Sequence, residues 1–227
     1  RNTPGPPITF TGSGGTPPYT FTYRINGGGS QTITTTSGNS VTIQVPTNYD
    51  GVFTYELISV QDGSSTQCIN SVNGTAIITV NQLPTPTING TSTVCLGVPT
   101  VYTTEPGMNG YTWVIPAGGT ITSGGTATDN SVTVSWNTIG TNTLSVNYTD
   151  GNGCMADAPA QLNVTVNPLP TPTISGPETV CLNSTANIYI TPAYQNNYIW
   201  TISEGGTITS GQGTNVIYVT WHTEGPQ

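Results

Sequence analysis

An internal repeat of about 86 residues constrains this chain more than any other feature. Leu83-Pro84-Thr85-Pro86-Thr87-Ile88 recurs as Leu169-Pro170-Thr171-Pro172-Thr173-Ile174, and Thr93-Val94-Cys95-Leu96 recurs as Thr179-Val180-Cys181-Leu182, both offset by 86. Tyr111-Thr112-Trp113 returns as Tyr198-Ile199-Trp200 at an offset of 87, each followed by Gly-Gly-Thr-Ile-Thr-Ser-Gly, and Trp136 maps onto Trp221 at 85. Upstream, Cys68 maps onto Cys154 and Val80-Asn81 onto Val166-Asn167. Similarity at a fixed period means an array of modules, each folding as a unit. The expected division is 1–82, 83–168 and 169–227, with Pro-rich joints. The third module stops after the segment holding Trp221 and lacks counterparts of Thr141 to Val166. The first begins without the Leu-Pro-Thr-Pro-Thr-Ile and Val-Cys segments. Both ends therefore read as cut from a longer polypeptide, and no leader or anchor is legible in such a piece.

Within a module the apolar residues alternate. Val132 and Val134 lie two apart, as do Leu162, Val164 and Val166, the period of a strand with one buried face. With 28 Gly and 18 Pro the composition is poor in helix formers and rich in turn formers, and alternation of this kind excludes a disordered low-charge chain. The second module predicts strands near 85–89, 100–104, 110–115, 119–122, 131–136, 142–149 and 160–167. Seven short strands in 86 residues imply an all-β chain of immunoglobulin-like β-sandwich modules arranged end to end. Tyr111 and Trp113 share one face of the third strand and are the expected core aromatics, with Tyr198 and Trp200 as their counterparts. The first module has Tyr19, Phe21 and Tyr23 there and no Trp, a divergent relative. A parallel β-helix would repeat at a much shorter period.

Charge narrows the function. Only 5% of residues are charged, the net charge is −8 and there is no lysine, so no basic surface exists for nucleic acid and an anionic membrane surface would repel the chain. No apolar run approaches the roughly 20 residues of a membrane span.

Four cysteines at repeat-locked positions point to an oxidising compartment outside the cytoplasm. Cys95 and Cys154 form the one complete set within a module, and counting favours their pairing. Topology objects, because the first turn and the last hairpin of a seven-strand sandwich lie at opposite ends, beyond disulfide reach. The other option is a bridge across a joint between successive modules. Cys68 and Cys181 have partners outside the chain on either scheme. No Cys-x-x-Cys pair favours zinc.

Catalysis at neutral pH ordinarily needs a positioned base, and the chain has one His and no Lys. His222 has Asn137 as its repeat counterpart and so shares no role with it. Glu105, Asp129, Asp150 and Asp157 read as turn residues, and no nucleophile elbow occurs. The best calcium candidates are Asp150, Asn152 and Asp157 around Gly151 and Gly153, a cluster of oxygen ligands of the kind that stiffens acidic repeats, although Asp and Asn also serve turns on their own. No catalytic residue and no bound cofactor is expected.

Thr93-Val94-Cys95-Leu96-Gly97, Tyr111-Thr112-Trp113-Val114-Ile115-Pro116-Ala117-Gly118-Gly119, Val132-Thr133-Val134-Ser135-Trp136 and Gly151-Asn152-Gly153-Cys154 together resemble the PKD-like repeats of Bacteroidota. The first module, with Gly14-Gly15-Thr16-Pro17-Pro18-Tyr19-Thr20-Phe21-Thr22-Tyr23, resembles the immunoglobulin-like repeats that accompany them. The resemblance spans nearly the whole chain. It implies a very long, type 9 secreted surface adhesin of the gliding kind (SprB type), located outside the cell, whose modules form a filament. Expected partners are neighbouring repeats, the surface motility or secretion machinery, and external surfaces or glycans bound through other regions. No family active site transfers. The rival reading is a carbohydrate-binding or spacer module of a secreted polysaccharide-degrading enzyme, which needs a flat row of solvent-facing Trp or Tyr.

Overall fold

The computed structural model describes residues 4–227, which form sixteen β-strands and no helix among the described residues. The chain divides into two compact units, Arg1–Asn167 and Pro168–Gln227.

The first unit holds two separate cores. Around the N-terminal one, β1 (Pro7–Thr11) pairs antiparallel with β4 (Ser40–Gln44), and a second sheet has the order β3 (Gln31–Thr34), β2 (Thr20–Ile25), β5 (Gly51–Gln61), β6 (Ile69–Val80). Alternation in β1 and β2 turns Ile8, Phe10, Phe21 and Tyr23 inward with Tyr19, Val45 and Tyr55. Phe10 stacks on Phe21 with ring centroids 5.5 Å apart. The outward residues of these strands are hydroxylic and pair across them, Thr9 with Thr42, Thr11 with Ser40 and Thr20 with Thr34, each at 2.9 Å. Low charge is tolerated on this face because hydroxyls hydrogen-bond to each other and to water. The one described ion pair here joins Arg24 to Glu56 across β2 and β5.

The second core lies between two sheets. One has the order β10 (Gly119–Gly124), β11 (Ser131–Trp136), β8 (Thr100–Thr103). The other has the order β7 (Thr93–Cys95), β13 (Ala160–Asn167), β12 (Gly140–Thr149), β9 (Asn109–Val114). Val132, Val134 and Trp136 face Leu144, Val146, Val164 and Val166, and none of these is more than 1% exposed. Each such aliphatic side chain contributes about 1.5–3 kcal/mol when fully buried. Every expected strand is present except the first. No strand forms at 85–89. Instead Asn89 bridges Thr103 in one sheet, and β7 pairs in parallel with β13 in the other. Gly90 lies between the two contacts, where a Cβ would come within 2.4 Å of the Tyr102 ring, so the chain crosses from sheet to sheet there and divides the expected strand.

The second unit contains a three-stranded sheet of order β14 (Asn187–Ile190), β16 (Val216–Trp221), β15 (Gly206–Ser210). These correspond through the repeat to β8, β11 and β10, and β15–β16 reproduces the register shift of β10–β11. Ile217 and Val219 are buried, whereas Tyr198, Trp200 and Trp221 are half-buried.

Candidate functional site

Three structural devices built from polar side chains recur. The first is a tyrosine clasp. Tyr111 Oη donates to the carbonyl of Glu105 at 2.7 Å and accepts from the Met108 N–H at 3.0 Å. Tyr198 does the same with Pro192 O and the Gln195 N–H, both at 2.9 Å. Tyr19 closes the corresponding turn on Gly15, donating at 2.6 Å and accepting at 3.0 Å. The rings of Tyr19 and Tyr111 lie in the cores and that of Tyr198 is half-buried; in each the hydroxyl fixes the loop above it, so one side chain satisfies two backbone groups.

The second is a pair of indole anchors. Trp113 Nε1 donates to Asp129 O at 3.0 Å and Trp200 Nε1 to Thr214 O at 2.8 Å. Trp113 and Tyr111 are buried; their counterparts Trp200 and Tyr198 are only half-buried. Tyr111 and Trp113 are therefore core aromatics that also hold loops, and Tyr198 and Trp200 hold the equivalent loops from half-buried positions.

The third is the Asp-to-Cys hairpin loop. Asp150 N donates to Cys154 O at 2.8 Å, and Asp150 Oδ1 accepts from the N–H groups of Cys154 at 2.8 Å and Asn152 at 2.9 Å. Asp62 repeats the wiring with Cys68, its N–H donating at 3.0 Å and its Oδ1 accepting at 2.9 Å, and adds Ser64. Hydrogen bonds from Ser64 hold the Asp62 carboxyl below its ordinary range. Of the calcium candidates Asp150, Asn152 and Asp157, Asp150 serves the turn itself. One of its oxygens accepts from the two backbone donors, and the described residues contain no group of three His, Cys, Asp or Glu that could hold a metal.

All four cysteines are free thiols: Cys68, Cys95 and Cys181 exposed, Cys154 half-buried. The Cys95–Cys154 pairing favoured by counting is not formed, and sheet order gives the reason. Cys95 pairs with Asn167 at the end of β13, whereas Cys154 lies beyond Ala160 at its start. The length of β13 puts roughly 24 Å between the two ends at about 3.4 Å per residue, several times what a disulfide spans. The turn after Cys95 is a repeated feature in its own right: Gly97 N donates to Trp136 O and Asn183 N to Trp221 O, both at 2.8 Å, with positive φ at each residue.

Glu105 is more than a turn residue. Its carboxylate accepts from Thr87 N and Oγ1, from Thr104 Oγ1 at 2.7 Å and from Tyr148 Oη at 3.1 Å, tying the entering chain to β8 and β12. Burial opposes its ionisation, yet the bonds from Thr87 and Thr104 outweigh that and hold the pKa at about 2. Burial and then the Glu105 charge push Tyr148 up to about 12. This network is invisible in the sequence because its members lie 18 and 43 residues from Glu105. His222, exposed, meets Asn183 Oδ1 through Nδ1 at 3.0 Å and caps a turn.

The PKD-like domain family matches residues 80–164 and 167–227. No curated protein matches the chain. Among solved structures, the fibronectin(III)-like modules of Clostridium thermocellum CbhA are 14% identical, with a TM-score of 0.30, covering 72% of this chain and 87% of theirs. The Escherichia coli adhesin FdeC is 15% identical with a TM-score of 0.31, over 97% of this chain and 77% of its own. A Ca2+-stabilized adhesin with which an Antarctic bacterium binds ice is 18% identical with a TM-score of 0.39, over 94% of this chain and 60% of its own.

Proposed function

Because the chain belongs to the PKD-like domain family, we propose that it is a structural repeat segment of a long bacterial cell-surface adhesin, located outside the cell, serving attachment or gliding motility and carrying out no reaction. Its modules, 1–82, 83–168 and 169–227, act as spacers that hold a binding region away from the surface, and their partners are neighbouring repeats. Each thiol at the ends of 83–167 is available to a neighbouring module and out of reach of the other.

One observation carries the reading. Tyrosine hydroxyls, indole N–H groups and Asp carboxylates hold loops in place, and the same wiring returns one period later: Tyr111 and Tyr198 clasp their turns, Trp113 and Trp200 anchor theirs, and Asp62 and Asp150 cap equivalent hairpins. Repetition of fold-holding contacts, with divergence elsewhere, is what a load-bearing array requires, since each unit must be stable on its own and needs only its neighbours. Antiparallel strands such as β12 and β13, joined over Gly140–Val146 and Ala160–Val166, resist extension through their ladder of hydrogen bonds.

Single-molecule pulling on the chain tests this. The reading expects separate unfolding events for separate modules, each at a force well above that of an unstructured linker. A single event for the whole chain, or none, overturns it. Small-angle scattering supplies a second check, since three modules in file give a particle on the order of 100 Å long.

A further inference from the structure

Five Asn-Gly pairs occur in the chain, at Asn26, Asn73, Asn89, Asn109 and Asn152. Such a pair is labile in water, because no side chain on the glycine keeps its N–H from the carbonyl carbon of the preceding carboxamide. Closing that ring swings the asparagine backbone away from strand geometry, so a residue held in a ladder must first open locally. The fold restrains the first four. Asn26 donates its N–H to Thr54 O at 2.8 Å and accepts from Thr54 N through Oδ1 at 2.7 Å. Asn89 exchanges backbone bonds of 2.8 and 2.9 Å with Thr103. Asn109 pairs with Thr149 at the start of β9, and Asn73 lies within β6, where Gly74 pairs with Leu57. Asn152 differs from all of these. It is exposed in the loop between β12 and β13, and its carboxamide has no hydrogen-bond partner among the described residues. Beyond its chain neighbours, nothing lies within 4 Å of the place a Gly153 Cβ would take. The restraints on the pair are two bonds inside that loop, Asn152 N–H to Asp150 Oδ1 at 2.9 Å and Gly153 N–H to Asp150 O at 3.1 Å, both open to competition from water.

We propose that Asn152 is a site of spontaneous hydrolytic modification, converting to aspartate and isoaspartate faster than any other asparagine of the folded chain, and that isoaspartate there releases Cys154. The co-reactant is water. Gly153 N forms a bond to Asn152 Cγ, the Cγ–Nδ2 bond breaks, and ammonia leaves with the Gly153 proton, giving a cyclic imide. Water then adds to one imide carbonyl and breaks its bond to the Gly153 nitrogen. Opening at Cγ gives aspartate; opening at the main-chain carbonyl leaves the chain running through Cγ as isoaspartate. No electron changes hands. Isoaspartate lengthens the main chain by one carbon inside a loop whose closure depends on Asp150, which holds Cys154 through Asp150 N–H to Cys154 O and Cys154 N–H to Asp150 Oδ1, both at 2.8 Å. The longer chain cannot keep these bonds together with that from Gly153, so the half-buried thiol is freed. The first module carries Ser64 where the second has Asn152, its N–H likewise directed to the capping Asp62 Oδ1 at 3.4 Å. A serine cannot form the imide, so the Asp62 hairpin and Cys68 are exempt.

The full chain, incubated folded in mildly alkaline buffer and in parallel in concentrated urea, is followed by peptide mapping at each Asn-Gly pair, with isoaspartate identified by enzymatic methylation. In the folded chain Asn152 should convert roughly tenfold or more faster than Asn26, Asn89 and Asn109, which react only from locally opened forms, and severalfold faster than Asn73. In urea the five rates should converge. Alkylation of Cys154 should quicken in the aged folded chain while that of Cys68 stays constant. Asn152→Ser, which places the residue of the first-module loop, should abolish both effects of ageing. Freshly prepared Asn152→Asp, which adds the charge without the extra carbon, should leave Cys154 as slow as in the fresh parent. Equal rates at the five pairs in the folded chain, or a lead of Asn152 that persists in urea, would overturn the assignment of the site to the fold. Isoaspartate at 152 with no gain in Cys154 reactivity would overturn the release of the thiol.

Discussion

The indole N–H of Trp136 donates to the phenolic oxygen of Tyr102 at 3.0 Å, with the rings edge to face, centroids 6.3 Å apart. Trp221 and Tyr189 repeat the arrangement at 3.1 Å and 6.2 Å. The two pairs differ in surroundings, the first being 0% exposed and the second half-buried. Tyr102→Phe therefore strands a buried N–H where water cannot reach it and should cost about 1–3 kcal/mol. Tyr189→Phe should cost less than about 1 kcal/mol, because solvent replaces the lost partner. Urea denaturation of the two variants, followed by tryptophan fluorescence, checks the order; equal costs would mean the two environments are alike.

Much of this architecture was legible in the chain itself, for reasons that differ from residue to residue. Val132, Val134 and Trp136 announce their strand because a half-buried sheet imposes a period of two, and the repeat doubles that signal at Ile217, Val219 and Trp221. The crossover at Gly90 was not legible: Thr85 to Asn89 looks like a strand by composition, and only the proximity of the Tyr102 ring shows why the chain changes sheets. The Glu105 network was missed for a related cause. Thr87, Thr104 and Tyr148 converge through folding, and Pro192 occupies the position one period later, so no recurrence marks the site. Cys95 and Cys154 were misleading when counted, since the count carries no information about which end of a sheet each occupies.

The Glu105 carboxyl makes 83–167 sensitive to acid. Its pKa of about 2 in the folded chain lies below the ordinary 4.5, so the folded state binds the proton more weakly than the unfolded one. The stabilisation is then fully present above pH 4.5 and is lost as pH falls through about 2. Solvent screening at this partly exposed carboxylate reduces what such a shift is worth, leaving a loss of about 1–2 kcal/mol. Thermal melts between pH 2 and pH 6 should show it, and Glu105→Gln should flatten that part of the profile while lowering stability at neutral pH. An unchanged slope in the variant would assign the acid response elsewhere.

Gly119 is required by contact with Trp136. A Cβ there would lie 2.8 Å from Ile115 Cγ2 and 3.0 Å from Trp136 Cε3, and at Gly206 it would lie 2.6 Å from Trp221 Cε3. Neither residue has a positive φ, so the constraint is overpacking and not backbone strain. In the closed core the indole cannot retreat, and Gly119→Ala should cost about 1–3 kcal/mol. At Gly206 the half-buried Trp221 has room to move, so Gly206→Ala should cost less despite the shorter contact. Denaturation midpoints of the two variants give the comparison, and a larger loss at Gly206 would show that Trp221 is held as rigidly as Trp136.

Sheet order makes a sharper statement about the thiols than counting does. Cys95 is fixed at one end of the sheet by pairing with Asn167, and Leu96 N donates to Asn167 O at 2.9 Å, so the register cannot slide without breaking both. Cys154 is fixed at the other end by Asp150, whose N–H and Oδ1 hold the cysteine backbone and leave Sγ uncommitted. Oxidation of the folded chain should therefore give no Cys95–Cys154 crosslink, because forming one would require dismantling β13 along its length. Alkylation under native, non-reducing conditions followed by peptide mapping should label Cys68, Cys95 and Cys181 quickly and half-buried Cys154 more slowly. Recovery of a peptide joining Cys95 to Cys154 from folded material would contradict the order β7-β13-β12-β9, and with it the assignment of the two thiols to opposite ends.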